Sequence, residues 1–162
     1  MKISIIYYSE TGNTEMVARF IAEGVKSVNN SKVSLFNIKN VDEKFLDESK
    51  AIIIGAPTYS GNACWQMQKW LQEVDACKLS GKIGSAFTTA NFIHGGSEVS
   101  IATINNALLV KGALIYSGGV ALGLPFTHTG VVAIKNHYDE AKELSFIFGQ
   151  RISNKCFELF NQ

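Results

Sequence analysis

The chain has 162 residues, enough to bury one substantial core, so the simplest organisation is one domain over residues 1–162. A formal charge of +1, with lysines scattered rather than striped, provides no field to recruit nucleic acid or an acidic membrane surface. The cysteines, Cys64, Cys77 and Cys156, are odd in number and form no C-x-x-C pair, which argues against structural disulfides and a thiolate zinc site.

In chain order, the β-branched segment Lys2–Tyr8 reads as a buried strand, with no charged and apolar leader before it. Thr14–Val28 follows with Met16, Val17, Phe20, Ile21 and Val25 at helical spacing. Further strands are expected at Val33–Ile38, Ala51–Gly55, Ile83–Thr88 and Ala113–Gly118, and further helices at Cys64–Val74, Glu98–Leu109 and Tyr138–Phe160. The longest weakly polar stretch, Ala113 to Phe126, is broken by glycines and too short to span a bilayer, so a cytoplasmic protein is expected. Alternating β and α elements with Ile/Val-rich strands predict an α/β fold, a parallel sheet covered by helices on both faces. Trp65 and Trp70, on one helix with Met67 and Leu71, read as core or interface packing; Arg19, Arg151 and His137 read as solvated.

Such sheets bind ligands beyond the carboxyl ends of their strands. After the first strand lie Ser9, Glu10, Thr11, Gly12, Asn13 and Thr14, hydroxyls and one glycine leading into a helix. The first-turn N–H groups lack intrahelical partners and the helix dipole favours an anion, so this loop suits a phosphate. It contains no Lys or Arg, so neutral donors alone would bind that phosphate. The alternative is an ordinary strand–helix connection with Thr11 or Asn13 as N-cap. No G-x4-G-K-[ST] and no G-x-G-x-x-G follows the strand, which argues against ATP and a dinucleotide there.

After the third strand come Pro57, Thr58, Tyr59, Ser60, Gly61 and Asn62; after the fourth come Thr89, Ala90, Asn91, Phe92, Ile93, His94, Gly95 and Gly96; after the fifth comes Leu122–Thr129. Tyr59 and Phe92 can stack on a flat ring, the glycines admit backbone N–H groups to its edge, and Asn62 and Asn91 offer donors and acceptors.

Ser9-Glu10-Thr11-Gly12-Asn13-Thr14 resembles the phosphate loop of flavodoxins, which bind FMN. More narrowly, Gly55–Asn62, His94–Glu98 and Gly123–Phe126 resemble the tryptophan-repressor-binding-protein family of flavodoxin-like NAD(P)H:quinone oxidoreductases. The resemblance implies a doubly wound five-stranded parallel sheet in the order 2-1-3-4-5 with FMN at its carboxyl edge. It carries FMN onto Ser9–Thr14, Pro57–Asn62, Thr89–Phe92, Gly95 and Gly96; in the oxidoreductase reading His94 is the candidate catalytic group, hydrogen-bonding the acceptor or stabilising the charge that develops on it. Two departures weigh against quinone reduction and tetramer assembly. The connection Asp75–Gly81 is short and lacks the family's tryptophan, and Thr127–Asn136 is abbreviated.

Two functions follow. The first is an FMN oxidoreductase passing a hydride or electrons from NAD(P)H to a quinone-like acceptor, in a chain that can form a homo-oligomer. The second is a flavodoxin-type carrier shuttling electrons between redox partner proteins. The oxidoreductase is placed first, because carriers of that kind tend to be strongly acidic and this chain is not. Other functions that share the fold lack their residues. No acidic cluster of a receiver domain follows the first strand, and no cysteine has the C-x5-R spacing of a low-molecular-weight tyrosine phosphatase.

Overall fold

The computed structural model describes residues 1–160. Strand β1 (Lys2–Tyr7) pairs in parallel with β2 (Lys32–Asn37) on one side and β3 (Ala51–Tyr59) on the other. Beyond β3 lies β5 (Ile83–Ala90), and a two-residue strand β4 (Asn62–Ala63) folds back antiparallel on the end of β3. The fifth position of the sheet is shared by two short strands. Leu114–Ile115 (β6) pairs with Ile83 and Gly84, and Val131–Ile134 (β7) pairs with Phe87 to Ala90. The expected order 2-1-3-4-5 is therefore present, with its last strand interrupted by Tyr116–Gly130. This corrects the strand expected at Ala113–Gly118, which covers only Leu114 and Ile115.

Side chains alternate across each strand and so supply two cores. Ile53 faces the layer of α1 (Asn13–Lys26) and α5 (Tyr138–Phe160), together with Ile21, Val25, Phe148 and Ile152. Ile52 and Ile54 face the layer of α2 (Glu43–Glu48), α3 (Trp65–Glu73) and α4 (Ser97–Val110), together with Leu46, Met67, Leu71 and Ile104. The two helices of the first layer cross closely, because a Cβ on Gly149 would stand 2.1 Å from the Ile21 carbonyl oxygen. Short α2 was not among the expected helices; the Asp42 carboxylate caps it by accepting from the Phe45 N–H at 2.9 Å. Among the described residues, no helix is long and apolar enough to cross a membrane.

One side chain differs from expectation. Arg151 is 8 % exposed, where a solvated helix face was expected. Its guanidinium donates to the carbonyls of Pro125 at 2.7 Å and Gly123 at 2.9 Å, which fastens the Tyr116–Gly130 segment to α5. The planar fork can serve several carbonyls of one loop, so an arginine replaces the ordinary backbone pairing that the interrupted strand loses. Of the residues read as core or interface packing, Trp70, Met67 and Leu71 contact the core and Trp65 is largely exposed, outside it.

Candidate functional site

The carboxyl ends of β1, β3 and β5 open into a cavity of about 290 Å³. It is lined by Ser9, Glu10, Thr11, Asn13 and Thr14 from the first loop, Pro57, Thr58 and Tyr59 from β3, and Thr89, Ala90 and Asn91 from β5. Lys135, directly after β7, and Tyr138, the first residue of α5, complete the wall.

One end of the cavity is the start of α1. Gly12 is its N-cap, in the left-handed region at φ 89°, and no side chain caps the helix. This overturns the alternative with Thr11 or Asn13 as cap. A Cβ would strain the backbone at that φ, and the space where it would stand is open. The first-turn N–H groups are thus left to an outside acceptor, while the Gly12 N–H is taken by Ser9 Oγ at 3.1 Å. Below this turn, buried Thr14 Oγ1 and Thr89 Oγ1 are 2.9 Å apart and join α1 to the end of β5. An uncapped helix end with hydroxyls and open space in front fits a phosphate.

The other end is built from two loops held against each other. Thr58 Oγ1 meets Thr88 Oγ1 at 2.8 Å and accepts from Ser100 Oγ at 3.1 Å, and Thr88 Oγ1 donates to the Ala56 carbonyl. Tyr59 Oη points to Glu10 Oε2 at 3.4 Å; burial, then the neighbouring carboxylate, pushes the phenol above its ordinary range. Ser60 and Gly61 form the exposed hairpin turn. Gly96 packs on that turn so tightly that a Cβ would stand 2.4 Å from the Gly61 carbonyl oxygen. Asn62 Oδ1 accepts from Thr103 Oγ1 and from the Ala63 N–H, both at 2.7 Å, so its acceptor braces the hairpin.

The expected site residues therefore divide. Ser9, Glu10, Thr11, Asn13, Thr14, Pro57, Thr58, Tyr59, Thr89, Ala90 and Asn91 meet around one cavity, with Gly12 shaping its floor. Ser60, Gly61, Asn62 and Gly96 support its rim without lining it. Phe92, His94 and Gly95 line a separate open hollow of about 600 Å³ beside it, with Ile93, Ile134, Lys135 and His137. His94 is exposed there, outside the main cavity. Leu122–Thr129, expected beyond the last strand, lies between β6 and β7 and lines neither space. Lys135 and Tyr138 were missed. The signal was the β-branched run Val131–Ile134, whose carboxyl end they follow.

The flavodoxin family model matches residues 5–97. A protein named flavodoxin from Clostridium saccharobutylicum is 52 % identical over 160 residues, covering 99 % of this chain and all of that protein. An NAD(P)H dehydrogenase (quinone) from Aromatoleum aromaticum is 34 % identical, over 78 % of this chain and 72 % of that one. Among solved structures, a flavodoxin from the domain Archaea superposes with a TM-score of 0.79 at 25 % identity, covering 96 % of this chain and 99 % of that one. The order of resemblance expected from the loops is thus reversed, with a flavodoxin nearer than the quinone-reducing relative. The family match, the end-to-end identity and a cavity shaped for a phosphate beside an aromatic agree: the chain belongs to the flavodoxin family, and its cofactor is FMN.

Proposed function

We propose that this protein is an electron carrier, accepting electrons from one redox protein and delivering them to another through FMN held in the cavity described above. The observation that carries this reading is the 52 % identity along essentially the whole chain to a protein named flavodoxin. The bound flavin supplies the redox chemistry, and the chain supplies position and environment. In this reading the N–H groups and hydroxyls of Ser9–Thr14 hold the phosphate. Thr89 to Asn91 bound the middle of the cofactor, and Pro57 to Tyr59 flank its ring. Tyr59 is 41 % exposed and Phe92 74 % exposed, so aromatic groups at the ring end stand where a partner protein can reach them.

The quinone-reductase reading stands second. It draws on the 34 % relative and on the hollow beside Phe92 and His94, where an acceptor would have room. An anaerobic reduction separates the two. The carrier is expected to ignore NADPH and NADH and to take electrons from dithionite in two resolved one-electron steps. Prompt bleaching of the flavin band by either nucleotide would overturn the carrier reading.

A further inference from the structure

The phosphate of FMN carries close to two negative charges at neutral pH, and the loop that faces it brings only neutral donors and Glu10. The cavity wall changes that balance. Among the described residues that line it, Lys135 is the one cation, and Glu10 is the one anion. Lys135 follows β7 directly, and its backbone N–H donates to the Ala90 carbonyl at 2.9 Å. Ala90 adjoins Thr89, whose hydroxyl meets Thr14 in the first turn of α1 at 2.9 Å. The base of the lysine is therefore one strand spacing, about 4.8 Å, from the strand whose threonine touches the cradle, well within the reach of a lysine side chain. Its ammonium forms no ion pair among the described residues, whereas Lys2, Lys69, Lys78 and Lys155 each pair with a carboxylate. Tyr138, three residues on, brings a hydroxyl to the same wall.

We infer that Lys135 is the counter-charge of the FMN phosphate and sets the preference of this protein for FMN over riboflavin, which shares the ring and side chain and lacks the phosphate. The inference rests on the phosphate lying at Ser9–Thr14. A lysine is suited to the part, since it acts as a point charge on a flexible stem and needs no fixed geometry.

The test is the affinity of apoprotein for FMN and for riboflavin at low and high salt, in wild type, K135Q, K135R and G12D. Loss of one charge-assisted phosphate contact is expected to weaken FMN binding by K135Q about tenfold at low salt, with riboflavin unchanged. The salt dependence of FMN binding is expected to shrink in K135Q and to persist in K135R. Unchanged FMN affinity in K135Q, or equal losses for FMN and riboflavin, would overturn the inference. The G12D protein separates this from the underlying reading. If G12D loses FMN selectively and K135Q does not, only the role of Lys135 fails; if G12D keeps FMN, the phosphate does not lie at that loop and both fail.

Discussion

Two helices of this protein begin alike and are used differently. Both α1 and α4 have a glycine N-cap in the left-handed region, Gly12 and Gly96, each at φ 89° and each without a capping side chain. A Cβ on Gly12 would meet nothing within 4 Å, whereas one on Gly96 would stand 2.4 Å from the Gly61 carbonyl oxygen. The same local geometry thus borders the open cavity at one helix and packs against backbone at the other. What differs is the chain packed against each turn. The turn from β1 into α1 borders the cavity, while the β3–β4 hairpin packs against the start of α4.

The comparison can be broken by substitution. The largest effect is expected for Gly12→Asp, which sets a carboxylate at the proposed phosphate site. Like-charge juxtaposition costs several kcal/mol, so calorimetry should show FMN affinity falling about 1000-fold. Apoprotein stability should fall by only the left-handed strain, about 1–2 kcal/mol. Gly96→Ala should show the reverse emphasis. Its Cβ meets the Gly61 carbonyl at 2.4 Å, so overpacking adds to the strain and urea unfolding should register about 2–3 kcal/mol lost. Equal stability losses at the two glycines would dissolve the distinction between them.

A control away from both caps is Cys156, buried on α5, whose thiol burial pushes up to about 12 from an ordinary 9.0. The folded state then keeps a proton that the unfolded chain releases. Stability from this group is full below pH 9 and declines as pH rises towards 12, by up to about 1.4 kcal/mol per pH unit. Cys156→Ala should flatten the slope of unfolding free energy between pH 10 and 11 by about one proton; an unchanged slope would show that this thiol does not titrate as described. The smallest effect sharpens the ring end of the cavity. Tyr59→Ala should weaken FMN by about 0.5–1.5 kcal/mol, roughly two- to twelvefold, with riboflavin weakened equally. An FMN-specific loss would move Tyr59 to the phosphate.

What could be read from the chain was local. Ser9–Thr14 sits between an apolar strand and an amphipathic helix, so both its place and its donors follow from neighbouring residues. The layered fold was legible for the same reason, since Ile52 to Ile54 and Ile83 to Phe87 mark buried strands. The missing parts depend on distant partners. Val131–Ile134 is only four residues and becomes a strand by pairing with Phe87–Ala90, so Lys135 and Tyr138 went unseen with it. Arg151 is buried by carbonyls of residues 122–125, which no helical pattern in α5 announces. Helix α2 is too short, at Glu43–Glu48, to show a period.

Whether the phosphate lies at the start of α1 and not at that of α4 is decided by amide NMR of the apoprotein titrated first with inorganic phosphate and then with FMN. Phosphate should shift the N–H signals of Thr11 to Glu15 and leave those of Ser97 to Val99 in place. FMN should repeat the first set and add Thr58, Tyr59 and Asn91. Phosphate shifts centred on Ser97–Val99, or FMN shifts that leave Thr11–Glu15 untouched, would contradict the account.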